Sequence, residues 1–171
     1  RPRRSKLLPM TPAFGRVTLR PLEEFSDTDW RRLQSHFRDP EIAYLNGTPP
    51  NRMPLWLLRR LLRNDSRRSD RATFGIFDER DDFIGTTELY DIRGAECTLG
   101  IIIGERTHWS AGYGPEAMHA LLGHAFEGLG LQLHGDPQSG TVHALLAAFG
   151  ESGLELALFA APRTDGLADE L

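Results

Sequence analysis

Disulfide bonds cannot form within this chain, because the sequence contains a single cysteine, Cys97. That usage suits a reducing compartment, and we expect a cytoplasmic location. No apolar run approaches the roughly 18 residues that a membrane span needs. The basic start RPRRSKLLPMTP has no apolar segment after its charges, so it does not match a secretory signal. These absences predict a soluble protein without a membrane partner.

Internal repeats and low-complexity segments are also missing, and 171 residues suit one globular domain. The charge is unevenly divided. Residues 1–71 contain sixteen Lys or Arg and eight Asp or Glu, whereas residues 72–171 contain four and sixteen. The arginine-rich segment 59–71 lacks interleaved aromatic residues and is interrupted by Asp65 and Asp70. We therefore expect a solvated helix face and loop there, and no nucleic-acid partner.

Periodicity and turn residues predict the first helices. Ser26 and Asp29 resemble a capping box, and the apolar stripe that follows ends before Pro40. Pro54 is placed to begin a second helix, LWLLRRLL. Pro115 predicts the start of the clearest amphipathic helix, which ends at Gly128 or Gly130.

The strand predictions complete the order of elements. An alternating pattern predicts a first strand at residues 17–22. Three further runs are separated by turn-forming residues and predict an antiparallel meander: 72–78, 83–90 and 98–103.

The glycine-rich stretch WSAGYGPEAM (residues 109–118) joins the last predicted strand to the helix at Pro115. A helix start leaves four N–H groups without partners and a partial positive charge, which attract anions. Gly112 and Gly114 have no Cβ, so the backbone can turn sharply and approach phosphate oxygens. No lysine and Ser/Thr follow the last glycine, as a P-loop requires, and the GxG match falls short of a dinucleotide fingerprint. The pattern predicts a pyrophosphate site, with a loop that merely turns the chain as the alternative.

The same stretch resembles the coenzyme A loop of the GNAT superfamily of N-acetyltransferases, whose pattern is Gln/Arg-x-x-Gly-x-Gly/Ala. It is most similar to the branch of ribosomal-protein N-terminal acetyltransferases, in which Trp commonly stands first, as Trp109 does, and Glu-Ala follows, as at 116–117. Other similarities are the Arg-Pro-Leu at 20–22, the Asp-Pro-Glu at 39–41 and the Ile-Gly at 84–85.

The resemblance implies an α/β (α+β) fold with a mixed, mostly antiparallel twisted sheet flanked by helices. It divides the chain into a flexible lead-in (1–14), an acetyltransferase core (15–131) and an atypical C-terminal segment (132–171). Relatives continue with a further strand and a tyrosine that often protonates the departing thiolate, but this tail contains no tyrosine. With suitable synonymous codons, parts of this tail read one nucleotide later would encode sequences typical of the family. A change of reading frame is therefore a hypothesis, which the coding DNA would test.

The resemblance also implies acetyl-CoA as donor, bound by the main chain. The backbone of the strand before the loop would hold the pantetheine arm, and the amides of the loop would hold the pyrophosphate. The predicted binding residues are Ile101, Ile102, Ile103, Trp109, Ser110, Ala111, Gly112, Tyr113 and Gly114. Acetyl would pass directly to an amine in a ternary complex, without a covalent enzyme intermediate.

Catalysis needs a neutral amine and therefore a general base. A protein α-amine has a pKa of about 7.7 to 8.0, whereas a lysine-like amine near 10.4 costs roughly 3.5 kcal/mol more to deprotonate. The candidate bases are Glu88, on a strand face with Thr86 and Tyr90, and Glu105, just beyond the binding strand. Either one is equally well an ordinary exposed carboxylate.

The acceptor is expected to be a protein or peptide N-terminus, in keeping with the branch. The alternatives are a small-molecule amine acceptor and a coenzyme A-binding module without turnover. The chain is compatible with a homodimer. No metal is predicted, because His119 and His124 are five residues apart rather than the four that aligns two ligands. A strand cysteine such as Cys97 is usually a small hydrophobe rather than a nucleophile.

Overall fold

The computed structural model describes residues 11–93 and 96–125 of the chain. The described elements, in chain order, are β1 Ala13–Phe14, β2 Val17–Pro21, α1 Asp27–Arg38, α2 Pro40–Leu45, α3 Leu55–Asp65, β3 Ala72–Phe77, β4 Phe83–Arg93, β5 Glu96–Ile103 and α4 Tyr113–Gly123. Short 3-10 turns occupy Leu22–Glu24 and Arg106–His108.

The five strands form one antiparallel sheet in the order β1-β2-β3-β4-β5. Helices flank this sheet, so the predicted α/β architecture is confirmed. The predicted meander corresponds to β3, β4 and β5, although β4 runs to Arg93 and β5 begins at Glu96. Among the described residues β5 pairs only with β4, and its other edge has no strand beside it.

Apolar side chains fill both faces of the sheet. On one face α4 packs through Ala117 and Leu121 against β2, β3 and β4; the strand residues of this cluster include Val17, Leu19, Ile76, Ile84 and Leu89. The opposite face carries a second cluster with α1, made of Leu22, Phe25, Trp30, Leu33, Phe77 and Phe83. Trp30 is fully buried there. A fully buried Leu or Phe side chain contributes about 1.5–3 kcal/mol, so these clusters hold the helices against the sheet.

The start of α1 follows the predicted capping box. The Ser26 hydroxyl accepts a hydrogen bond from the Asp29 N–H, and the Asp29 carboxylate accepts one from the Ser26 N–H. The helix ends before Pro40, as expected. Pro40 then begins α2, a six-residue helix that the sequence pattern did not predict. This helix forms because the Asp39 carboxylate caps it, accepting hydrogen bonds from the N–H groups of Glu41 and Ile42.

The start of α4 differs from the prediction. The helix begins at Tyr113 rather than Pro115, because Gly112 takes a left-handed conformation with φ +89° and serves as the N-cap. Pro115 is the third residue of the helix, where no intrahelical N–H donor is required. The predicted ends at Gly128 and Gly130, and the tail 132–171, lie outside the described residues.

Three imidazoles provide a test of the packing. Burial lowers the pKa values of His36, His119 and His124. Because an unfolded histidine has a pKa of about 6.5, the unfolded chain binds more protons below that pH and the free energy of unfolding decreases. This stability is fully present above about pH 6.5 and is lost as the pH falls. We expect urea unfolding to show a decrease between about pH 7.5 and 5, of at most about 1.4 kcal/mol per pH unit for each histidine.

His36→Gln is the informative variant for that experiment. His36 Nε2 lies 3.0 Å from Glu105 Oε1, and a glutamine amide can donate to the same carboxylate without titrating. The variant should therefore show a shallower loss of stability on acidification. An unchanged slope would contradict the contribution of His36.

Candidate functional site

The segment between β5 and α4 forms a tight turn with two left-handed residues. Ser110 has φ +57° and Gly112 has φ +89°. Left-handed backbone is common for glycine and rare for serine, so the fold holds Ser110 in an uncommon conformation. Such turns direct successive N–H groups into one concavity, which is a geometry that binds anions.

The backbone amides of this turn lack strong partners among the described residues. None of the N–H groups of residues 110–114 donates a short, well-aligned hydrogen bond to a described residue. The first intrahelical bond of α4 runs from Glu116 N to Gly112 O at 3.2 Å. The structure thus brings together a helix start and five donors from residues 110–114 that have no well-aligned partner among the described residues, all predicted to bind the ligand. This set fits a diphosphate.

The two glycines of the loop serve different needs. Gly112 requires its missing Cβ, because its φ is left-handed and because a Cβ there would lie 3.1 Å from Arg16 Nη2. Gly114 does not, because a Cβ there would meet no described atom within 4 Å. Among the described residues the space beside Gly114 is therefore open, and it adjoins the amides of the loop.

Contacts between side chains of the loop and the rest of the protein hold the turn in place. The Trp109 indole N–H donates to Ile103 O at 2.8 Å, which fastens the loop to the end of β5. The Tyr113 hydroxyl donates to Glu79 at 2.9 Å, and His108 Nε2 lies 3.0 Å from Asp78 Oδ2. Trp109 and Tyr113 were predicted as binding residues, and their side chains make these protein contacts.

The surroundings of Asp78 favour the charged carboxylate that faces His108. The Asp78 side chain is 4% exposed. Burial raises the pKa of Asp78, but hydrogen bonds from the N–H groups of Asp82 and Arg80 and from His108 lower it by more. The turn between β3 and β4 is thereby a charged support for the loop. Sequence reasoning missed this contact, since thirty residues separate Asp78 from His108.

The strand predicted to bind the pantetheine arm, β5, is an edge strand among the described strands of the sheet. Ile101, Ile102 and Ile103 are half-buried, and their strand pairs with β4 on one side. The carbonyl of Ile103 already accepts the Trp109 indole. The backbone of Ile101 and Ile102 therefore offers the better partners for an extended ligand chain along this edge.

Glu88 lies across the middle of β5. It pairs with Gly100 in the sheet, and a Cβ on Gly100 would lie 3.2 Å from Glu88 Cγ and 3.6 Å from the Tyr90 ring. The Glu88 side chain is 33% exposed, and its Oε2 is 3.5 Å from Arg71 Nη1. The side chains of Glu88 and Tyr90 thus lie beside Gly100, the residue of β5 that has no side chain.

Glu105 occupies a different place. Its Oε1 is 3.0 Å from Nε2 of the buried His36 and 3.7 Å from Nε of Arg32. Three strand residues, or about 10 Å, separate Gly100 from the end of β5, beyond which Glu105 lies. The structure therefore does not bring the two candidate bases together.

The described residues give little support for a cysteine nucleophile or a metal site. Cys97 is half-buried against the α4 cluster, and burial raises the pKa of its thiol. Within residues 11–93 and 96–125 no group of three or more His, Cys, Asp or Glu residues could hold a metal ion. In the same ranges no helix has the length and apolar character needed to cross a bilayer.

Comparison with known proteins identifies the family. The profile of the acetyltransferase (GNAT) domain matches residues 16–146. The chain belongs to the GNAT acetyltransferase family. This GNAT protein is accordingly an acetyl-CoA-dependent N-acetyltransferase, and the loop geometry fits that donor. The match continues through residues 132–146, beyond the end of the resemblance described above. No curated protein sequence matches the chain significantly.

Solved structures share the fold of this GNAT protein at low sequence identity. A spermidine N-acetyltransferase from Vibrio cholerae, in complex with CoA and spermine, is 20% identical with a TM-score of 0.62, covering 81% of this chain and 80% of that one. A GNAT-family acetyltransferase from Bacillus anthracis is 16% identical with a TM-score of 0.57, covering 71% and 69%. A dodecameric form of the Vibrio cholerae enzyme is 20% identical with a TM-score of 0.53, covering 81% and 78%. The ribosomal-protein branch is not confirmed by these comparisons.

Proposed function

We propose that this GNAT protein transfers the acetyl group of acetyl-CoA to the primary amine of a small molecule. The observation that carries the donor half is the set of five amides at the start of α4 that have no well-aligned partner among the described residues. For the acceptor, the structural likeness to spermidine N-acetyltransferases favours a small-molecule amine over the protein N-terminus that the sequence predicted. The two acceptors differ in the pKa of the amine, and that difference decides what the site must do.

The donor is held by main-chain groups. The N–H groups of residues 110–114 hold the diphosphate, since they have no well-aligned acceptor among the described residues and lie at the positive end of α4. The open space beside Gly114 admits the phosphate oxygens. The edge of β5 at Ile101 and Ile102 pairs with the pantetheine amides, which directs the thioester toward Gly100.

Glu88 acts as the general base. A small-molecule amine with a pKa of about 10.4 is almost fully protonated at pH 7, so it needs a proton acceptor more than an α-amine does. Glu88 lies over Gly100, whereas Glu105 is engaged by His36 and Arg32. Arg71 lies 3.5 Å from Glu88 and 3.8 Å from Asp65, separations too long for strong hydrogen bonds. The carboxylates of Glu88 and Asp65 therefore both retain acceptor capacity for an incoming ammonium group.

Transfer is direct. Glu88 takes one proton from the ammonium group and passes it to solvent, and the neutral amine nitrogen then forms a bond to the acetyl carbon. The thioester C–S bond breaks with its electron pair on sulfur, and that sulfur takes up the second amine proton to leave as the thiol. Cys97 is unsuited to carry the acetyl group, because burial against the α4 cluster raises the pKa of its thiol and disfavours the thiolate.

An amine panel tests the proposed acceptor. Thiol release from acetyl-CoA should be fastest with small polyamines or other small primary amines and at least about tenfold slower, in kcat/KM, with peptides that offer only an α-amine. The matched control is the same amine in N-acetylated form, which should give no release. A preference for peptide N-termini would restore the protein acceptor, and tight CoA binding without release on any amine would favour a binding module.

A further inference from the structure

Arg16 bridges the first hairpin to the loop at the start of α4. Its two-residue turn with Gly15 joins β1 to β2, one hundred residues away from Glu116. Arg16 Nη2 donates to Glu116 Oε1 at 2.6 Å and to Ala111 O at 2.8 Å, and its Nε donates to the same carboxylate oxygen at 2.9 Å. The guanidinium also lies 4.1 Å from the centre of the Tyr113 ring. One side chain therefore contacts three residues of the segment 111–116.

Glu116 presents a difficulty for anion binding that this bridge resolves. Glu116 lies in the first turn of α4, near the amides of residues 110–114, and an acidic group at a helix start is attracted to such donors. Left alone, it would repel an incoming diphosphate and compete with it for the amides. Two features hold it away: the Arg16 backbone N–H donates to Glu116 Oε2 at 2.6 Å, and the guanidinium neutralises Oε1.

The surrounding glycines fit this arrangement. A Cβ on Gly15 would lie 2.6 Å from Glu116 Oε2, so the hairpin turn must be glycine for the carboxylate to dock against it. Gly15 also has a left-handed φ of +57°. On the other side, Gly112 leaves room for Arg16 Nη2. The turn sequence Gly15-Arg16 is thus shaped to receive the Glu116 side chain.

We propose that Arg16 is a positioning residue for coenzyme A, which withdraws and neutralises Glu116 so that the loop amides remain available to the diphosphate. This inference rests on the proposed placement of the diphosphate at residues 110–114. Arg16 acts through Glu116 and Ala111 and does not itself contact the reacting atoms. Its effect is therefore specific to ligands that carry the diphosphate.

Donor pairs with and without the diphosphate test the proposal. Arg16→Met should weaken CoA binding by about 10- to 100-fold in calorimetry and raise the KM for acetyl-CoA similarly, with kcat little changed. The kcat/KM for acetyl-pantetheine, which lacks the diphosphate, should stay within about twofold. Arg16→Lys keeps the charge and should lose less than Arg16→Met. Equal losses with both donors, or no loss with CoA, would overturn the proposal.

The double variant tests how Arg16 acts. Glu116→Gln alone should bind CoA as well as the wild type or a few-fold tighter, because it removes the competing charge. Adding it to Arg16→Met should restore CoA affinity to within about fivefold of wild type. A double variant as weak as Arg16→Met would mean that Arg16 contacts the phosphates itself, which contradicts the positioning role, and a loss above tenfold in Glu116→Gln alone would contradict it too. Melting temperatures of all variants separate these effects from unfolding.

The wild-type protein distinguishes a failure here from a failure of the proposed donor site. If it uses acetyl-pantetheine as well as acetyl-CoA, the diphosphate placement itself is wrong. If it strongly prefers acetyl-CoA and the Arg16 variants keep that preference, only the role of Arg16 is refuted.

Discussion

Gly114→Leu is expected to weaken CoA binding by at least about 100-fold while the melting temperature stays within a few degrees of wild type. A Cβ at this position meets no described atom within 4 Å, and leucine is a better helix former than glycine, so the fold accepts the change. The added side chain fills the space in front of the loop amides. Losing two hydrogen bonds to a charged diphosphate, at about 1.5–3 kcal/mol each, exceeds the roughly 2.7 kcal/mol that a 100-fold change represents.

Calorimetry with CoA and thermal unfolding measure the two halves of that prediction. Gly114→Ala should give an intermediate loss, because one methyl group blocks less of the space. Gly123→Ala, at the other end of α4, is the matched control, since a Cβ there also meets no described atom within 4 Å. Gly112 is a poor choice, because its left-handed φ would mix backbone strain with ligand exclusion. Full CoA affinity in Gly114→Leu would contradict the proposed path of the donor.

Glu88→Gln is expected to lower kcat by about 10²- to 10⁴-fold, the range that general-base catalysis provides, without changing the affinity for CoA. The glutamine keeps the shape of the side chain over Gly100 but cannot take the proton of the amine. The deficit should shrink as the pH rises toward the pKa of the acceptor, about 10.4 for a lysine-like amine, because the substrate then arrives neutral. Initial rates from about pH 7 to 10 at saturating acetyl-CoA measure both effects.

Two other carboxylates frame the Glu88 result. Glu105→Gln tests the competing base and should lower kcat by less than about tenfold, through the loss of its contacts with His36 and Arg32. Glu24 is exposed, and Glu24→Gln controls for a general loss of negative charge. A large loss in Glu105→Gln with an active Glu88→Gln would reassign the base to Glu105.

Local sequence patterns predicted the elements that position the site. The capping box at Ser26, the three meander strands and the order of strand, glycine loop and helix follow from short-range rules. The start of α4 was predicted two residues late, because Pro115 marks the first turn of a helix without fixing which residue of that turn it occupies. Local rules also missed α2, whose six residues are too short to show a periodic pattern.

The contacts that tune the site could not be predicted in this way. Arg16 and Glu116 are one hundred residues apart, and His36 and Glu105 are sixty-nine apart, so only the packed sheet and helices bring them together. From the sequence alone the two candidate bases have equal weight for the same reason: their surroundings depend on Arg71, His36 and tertiary packing. The acceptor preference likewise depends on surfaces rather than on a motif.

The decisive measurement is a crystal structure of the protein with bound CoA. We expect diphosphate oxygens within about 3.2 Å of backbone nitrogens of residues 110–114, with the pantetheine along the β5 edge and the thiol near Gly100. A diphosphate bound elsewhere, with the Glu116 carboxylate or another protein group filling the loop amides, would contradict it.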